Sequence, residues 1–104
     1  MYRPIDPDTL RTMLDASDPP VLLDVRGPDE VARGHLEGAR HIPLGELPRR
    51  YAELALDQAL VIYCHSGVRS ASACRFLAER GYGQLYNLEG GIAAWARAGQ
   101  PIHS

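Results

Sequence analysis

The segment "ALVIYC", Ala59 to Cys64, constrains this chain most. It is short, apolar and rich in β-branched residues, with no charged residue alternating along it. A strand of that composition must be covered on both faces, and such strands belong to parallel sheets flanked by helices. "HSGVRSAS" follows immediately. A buried strand is therefore predicted to end at a tight turn that leads into a helix.

The rest of the chain alternates in the same way. Leu10 to Ala16, after "DPDT", reads as a short helix with Leu10, Met13 and Leu14 on one face. Val21 to Val25, behind two prolines, reads as a buried strand. "GPDEVARGH" carries a proline and two acids suited to a helix start, with Gly34 as its stop. "ARHIP" is a weak extended segment, and "LGELPRRYAEL" a turn leading into a short helix. "RSASACRFLAER" predicts a helix beginning near Arg69 or Ser70, with Ala73, Cys74 and Leu77 on one stripe and Gly81 beyond its end. "QLYNL" then gives a strand, and "IAAWARAG" a final helix after two glycines. Strands alternating with helices predict an α/β domain with a mostly parallel sheet and helices on both faces.

At 104 residues the chain is expected to form one domain, residues 1–104. A net charge of -2 suggests no general attraction to nucleic acid or an anionic membrane surface. No apolar run approaches the ~18 residues of a membrane span. Any anion must therefore be attracted locally. The two cysteines, Cys64 and Cys74, are too few for a disulfide scaffold. The four histidines lack ligand spacing, so neither a metal nor another cofactor is expected. The start "MYRPIDPDTL" shows no secretory pattern, which makes the cytoplasm the expected compartment.

Open α/β sheets bind ligands beyond the carboxyl ends of their strands, and Cys64 falls at such an end. The turn after it brings Gly67, Arg69 and two serines, Ser66 and Ser70, to the start of a helix. A helix N-terminus presents unpaired N–H groups and about half a positive charge. Gly67 lets successive N–H groups converge, and Arg69 adds a fixed charge at the rim. Such settings lower a cysteine pKa from ~8.5 to between ~3.5 and 7.5. Cys64 is therefore expected to be a nucleophile in an anion cradle. The competing reading makes it one more small buried residue.

Several motifs in order resemble the single-domain rhodaneses, thiosulfate-type sulfurtransferase modules. These are "LLDVR" at Leu22 to Arg26, "GHLEGARHIP" from Gly34 to Pro43, "VIYCHSGVRSASA", and "GYGQLYNLEGGIAAWARAGQPI" towards the end. The resemblance implies a five-stranded, mostly parallel sheet and a persulfide carried on Cys64. It implies a donor such as thiosulfate and an acceptor such as cyanide or a thiol. The amides of His65, Ser66, Gly67, Val68, Arg69 and Ser70 would stabilise the persulfide anion, and Arg69 would help attract an anionic donor.

Two alternatives share these ingredients. Cysteine-dependent phosphatases and arsenate reductases use a C-x5-R loop, whereas Cys64 to Arg69 is C-x4-R, a tighter ring suited to one sulfur rather than a phosphate. A rhodanese-like module could also act as a sulfur relay to a protein acceptor, or as a partner-binding domain. Beyond the loop, Arg26 and Glu30 are expected to form an ion pair, with Asp24 close enough to reach the rim. Cys74 is expected to pack in the core. His35 and His41 are expected to hold their turn and strand, and His65 to point to solvent.

Overall fold

The computed structural model describes residues 1–104. Its five strands are β1 (Tyr2–Ile5), β2 (Val21–Asp24), β3 (Arg40–His41), β4 (Leu60–Tyr63) and β5 (Leu85–Leu88). The helices are α1 (Pro7–Leu14), α2 (Pro28–Ala32), α3 (Leu47–Arg50), α4 (Val68–Glu79) and α5 (Gly91–Arg97). The strands lie in the order β1-β5-β4-β2-β3, and every neighbouring pair is parallel.

β4 occupies the centre and is buried along its whole length. Leu60, Ile62 and Cys64 face Ala73, Cys74 and Leu77 of α4 and Leu47 of α3. Val61 and Tyr63 face the other way, towards Leu10 of α1 and Ile92 and Trp95 of α5. The unbroken apolar run thus reflects helices on both faces, as its composition requires. α2 differs, since none of its residues is buried.

The structure refines several boundaries. α1 starts at Pro7 rather than Leu10, because Asp6 caps it by accepting from the Thr9 N–H at 2.8 Å, and proline suits the first turn. "LGELPRRYAEL" forms 3-10 turns on either side of α3. α4 begins at Val68, and β4 ends at Tyr63, so Cys64 is the first residue beyond the strand.

β1 was not legible in the sequence. "YRPI" is four residues long, contains Pro4, and leaves Arg3 and Pro4 exposed. Such a segment can pair only at an edge, here against β5. At the other end of the chain, His35 and His103 exchange backbone hydrogen bonds at 2.8 Å. Trp95 Nε1 donates to the Pro101 carbonyl at 2.9 Å. His41 Nε2 bonds the Arg26 carbonyl at 2.7 Å, which ties β3 to the end of β2.

Candidate active site

Parallel pairing sets Tyr63 beside Asp24, so the chain leaves β4 at the same sheet edge at which it leaves β2. Cys64 follows and is only 1% exposed. Gly67 then takes φ +106°, a left-handed conformation that a side chain would strain. This turn folds the backbone back over the sulfur. The Gly67 N–H lies 3.1 Å from Cys64 Sγ, the Ser70 N–H 3.4 Å and the Ser70 Oγ 3.4 Å. The Val68 and Arg69 N–H groups, in the first turn of α4, have no hydrogen-bond acceptor within the protein.

The loop is held from behind by α5. The Ile92 N–H donates to the Cys64 carbonyl at 2.9 Å, and the Ala93 N–H donates to the His65 carbonyl at 3.1 Å. With these carbonyls engaged outward, the loop's N–H groups are left for the sulfur. Gly91 permits the approach, because a Cβ there would collide with the Cys64 and His65 carbonyl oxygens.

Burial alone would raise the Cys64 pKa. The Ser70 hydroxyl and the N–H groups of Ser70, Gly67 and Ser66 outweigh it and hold the thiol below its ordinary value. Cys74 shows the opposite case. It is fully buried on α4 among apolar residues, and burial pushes its thiol up to about 12. Both cysteines are free, and Cys74 packs in the core as expected.

Loop residues expected in the cradle divide by exposure. Ser70 is buried, Gly67 and Arg69 are half-buried, and His65, Ser66 and Val68 are exposed. His65 is thus turned to solvent. Among the six loop amides, those of Gly67 and Ser70 approach the sulfur within hydrogen-bond distance.

The charged residues are paired differently from the expectation. Arg26 binds Asp24, not the Glu30 side chain. Its Nη2 lies 2.7 Å from Asp24 Oδ2 and 2.6 Å from the Gly34 carbonyl oxygen, and both partners are buried. Asp24 ends β2 only two positions before Arg26, whereas Glu30 is four positions after it on α2. Its carboxylate also accepts from the Arg26 N–H at 2.9 Å, so it is locked rather than free to reach the rim. Glu30 instead forms a two-pronged pair with Arg69, at 2.7 and 2.9 Å. The charge expected to attract donors is therefore balanced by a carboxylate.

Asn87, on β5, is a further member of the site that the sequence did not reveal. It is buried, accepts from Ser70 Oγ at 2.6 Å, and donates through Nδ2 to the Gly67 carbonyl at 3.2 Å. The available signal was an amide inside a buried strand, where asparagine is rare.

The geometry agrees with what the chain is similar to. The family profile described as Rhodanese-like domain matches residues 6–98. A sulfurtransferase from Allochromatium vinosum is 43% identical over 98% of this chain and 95% of its own length. A thiosulfate sulfurtransferase from Stutzerimonas stutzeri is 34% identical over 90% of this chain and 84% of its own. The solved structure of a rhodanese-related protein from Thermoplasma volcanium superposes with a TM-score of 0.90 at 33% identity, covering 98% of each chain. A buried cysteine at the carboxyl edge of a five-stranded parallel sheet, with relatives that span nearly the whole length, leads to one conclusion: this chain belongs to the rhodanese-like sulfurtransferase family.

Proposed function

We propose that the protein moves a sulfane sulfur from a donor such as thiosulfate to a thiol or cyanide acceptor, through a persulfide on Cys64. The observation that carries this reading is the convergence of the Gly67 and Ser70 N–H groups on a single sulfur atom at a strand end. In the first step the Cys64 thiolate attacks the outer sulfur of thiosulfate. The S–S bond of the donor breaks, and sulfite leaves with the electron pair. In the second step the acceptor attacks the terminal sulfur of the persulfide, and the Cys64 thiolate returns as leaving group. Covalent catalysis of this kind gives ping-pong kinetics.

The anionic terminal sulfur of the persulfide extends one bond beyond Sγ. The unpaired N–H groups of Val68 and Arg69 supply donors for it. With Arg69 neutralised by Glu30, attraction for the donor rests mainly on these oriented amides. The C-x4-R spacing favours a single sulfur over the broader phosphoryl group. A protein acceptor would be served by the same chemistry at Cys64.

Loading with thiosulfate followed by intact-mass measurement tests the proposal. The wild-type protein should gain one sulfur atom, and Cys64→Ser should gain none and form no thiocyanate from cyanide. Undiminished thiocyanate formation by Cys64→Ser would reject it.

A further inference from the structure

We propose that Asn87 is a positioning residue: it holds the Ser70 hydroxyl hydrogen away from Cys64, so that forming the thiolate requires this hydrogen to turn from Asn87 to sulfur. The inference follows from the order in which the hydrogen bonds can be assigned. The Gly67 carbonyl oxygen can only accept, so the Asn87 atom facing it at 3.2 Å must be Nδ2. That orientation turns Asn87 Oδ1, also an acceptor, towards Ser70 Oγ at 2.6 Å. Ser70 has a single hydroxyl hydrogen and must give it to Asn87.

The consequence reaches Cys64. Ser70 Oγ lies 3.4 Å from Sγ, and in the thiol form the S–H group is the donor to that oxygen. When the thiol loses its proton to solvent, the Ser70 oxygen would face a thiolate with lone pairs on both sides. The hydroxyl relieves this by rotating about its Cβ–Oγ bond, which leaves Asn87 Oδ1 without a donor. No covalent bond other than S–H changes. Asn87 therefore opposes the thiolate through Ser70 while its other end secures the Gly67 turn. The balance keeps the sulfur basic enough to remain a strong nucleophile, since thiolate reactivity falls with falling pKa.

Other charged and titratable groups around Cys64 are already committed or lie outside this network. On α4, Arg69 is paired with Glu30 of α2, and Cys74 is a neutral thiol. On β2, Asp24 is paired with Arg26, and on β4 the Tyr63 hydroxyl accepts from the Leu36 N–H. His65 and Glu89 are exposed. None of these side chains is hydrogen-bonded to Asn87 or Ser70, so replacing Asn87 leaves them in place, and a Ser70→Ala background separates its effect through Ser70 from its bond to the Gly67 carbonyl.

The experiment measures thiolate absorbance against pH, each protein referenced to the same chain carrying Cys64→Ser. This reads ionisation directly and needs no sulfur donor, so it is distinct from the persulfide test on which the functional reading depends. Asn87→Ala should lower the midpoint by about 1 pH unit, because the freed hydroxyl can serve the thiolate. In a Ser70→Ala background the same substitution should move it by less than ~0.3 units. Asn87→Val, which suits a strand and also lacks the acceptor, repeats the comparison if the alanine variant is too unstable. An unchanged or raised midpoint with Ser70 present, or an equal fall without Ser70, would overturn the proposal.

Discussion

Cys64 and Cys74 stand ten positions apart and both are buried, yet the chain treats them oppositely. Cys64 meets N–H groups released by a left-handed glycine and a helix start, whereas Cys74 meets only apolar side chains and the distant Tyr86 carbonyl at 3.8 Å. Burial penalises both thiolates, and only the first is compensated. The contribution of Gly91 is less visible, because it lies behind the loop and touches no sulfur. Gly91→Ala should cost about 2–4 kcal/mol in stability, combining strain at φ +62° with a backbone collision. A denaturant midpoint within error of wild type would show that α5 does not brace the loop. At this scale the cradle was readable wherever its parts are neighbours in sequence, as Cys64, Gly67 and Ser70 are. Asn87, 17 positions beyond Ser70, was not.

α2 shows how an element with no buried residue can be fixed at its end. Glu30 accepts from the Gly27 N–H at 3.0 Å and from Arg69 across the sheet edge, joining α2 to the first turn of α4. The Arg69 guanidinium, followed by the Gly27 N–H, holds the Glu30 carboxyl down at about 2. Its folded pKa thus lies below the unfolded value of ~4.3, so the pair stabilises above that value and is lost as pH falls towards 2. The side chains are 28% and 39% exposed, so solvent screening limits the contribution to about 1 kcal/mol. Glu30→Gln should be weaker than wild type by this amount at pH 7, and the difference should close by pH 2. Urea titrations at both pH values check it, and a constant difference would contradict the linkage. The helix itself was legible from its proline and acids; its partner was not, because 39 positions separate Glu30 from Arg69.

In the whole molecule, one sheet carries two apolar layers, and neither layer is continuous without it. Leu77 lies in the layer beneath α4, while Trp95, the single tryptophan, lies in the layer on the opposite face. Leu77→Ala should cost about 2–5 kcal/mol. Because the layers share β4, Trp95 fluorescence and far-ultraviolet circular dichroism should report the same lowered midpoint. Separate transitions would mean that the faces unfold independently. Sequence alone determined the α/β class, the buried central strand and the placement of Cys64 at its carboxyl end, since each follows from composition and local order. It also placed Gly67 and Ser70 beside the sulfur, because a turn of a few residues leaves little freedom. Only the tertiary structure decided β1's place at the sheet edge, the exchange of ion-pair partners among Asp24, Arg26, Glu30 and Arg69, and the amide of Asn87 behind Ser70. Those depend on which strand ends meet in space, and a parallel sheet brings together residues that the chain keeps far apart.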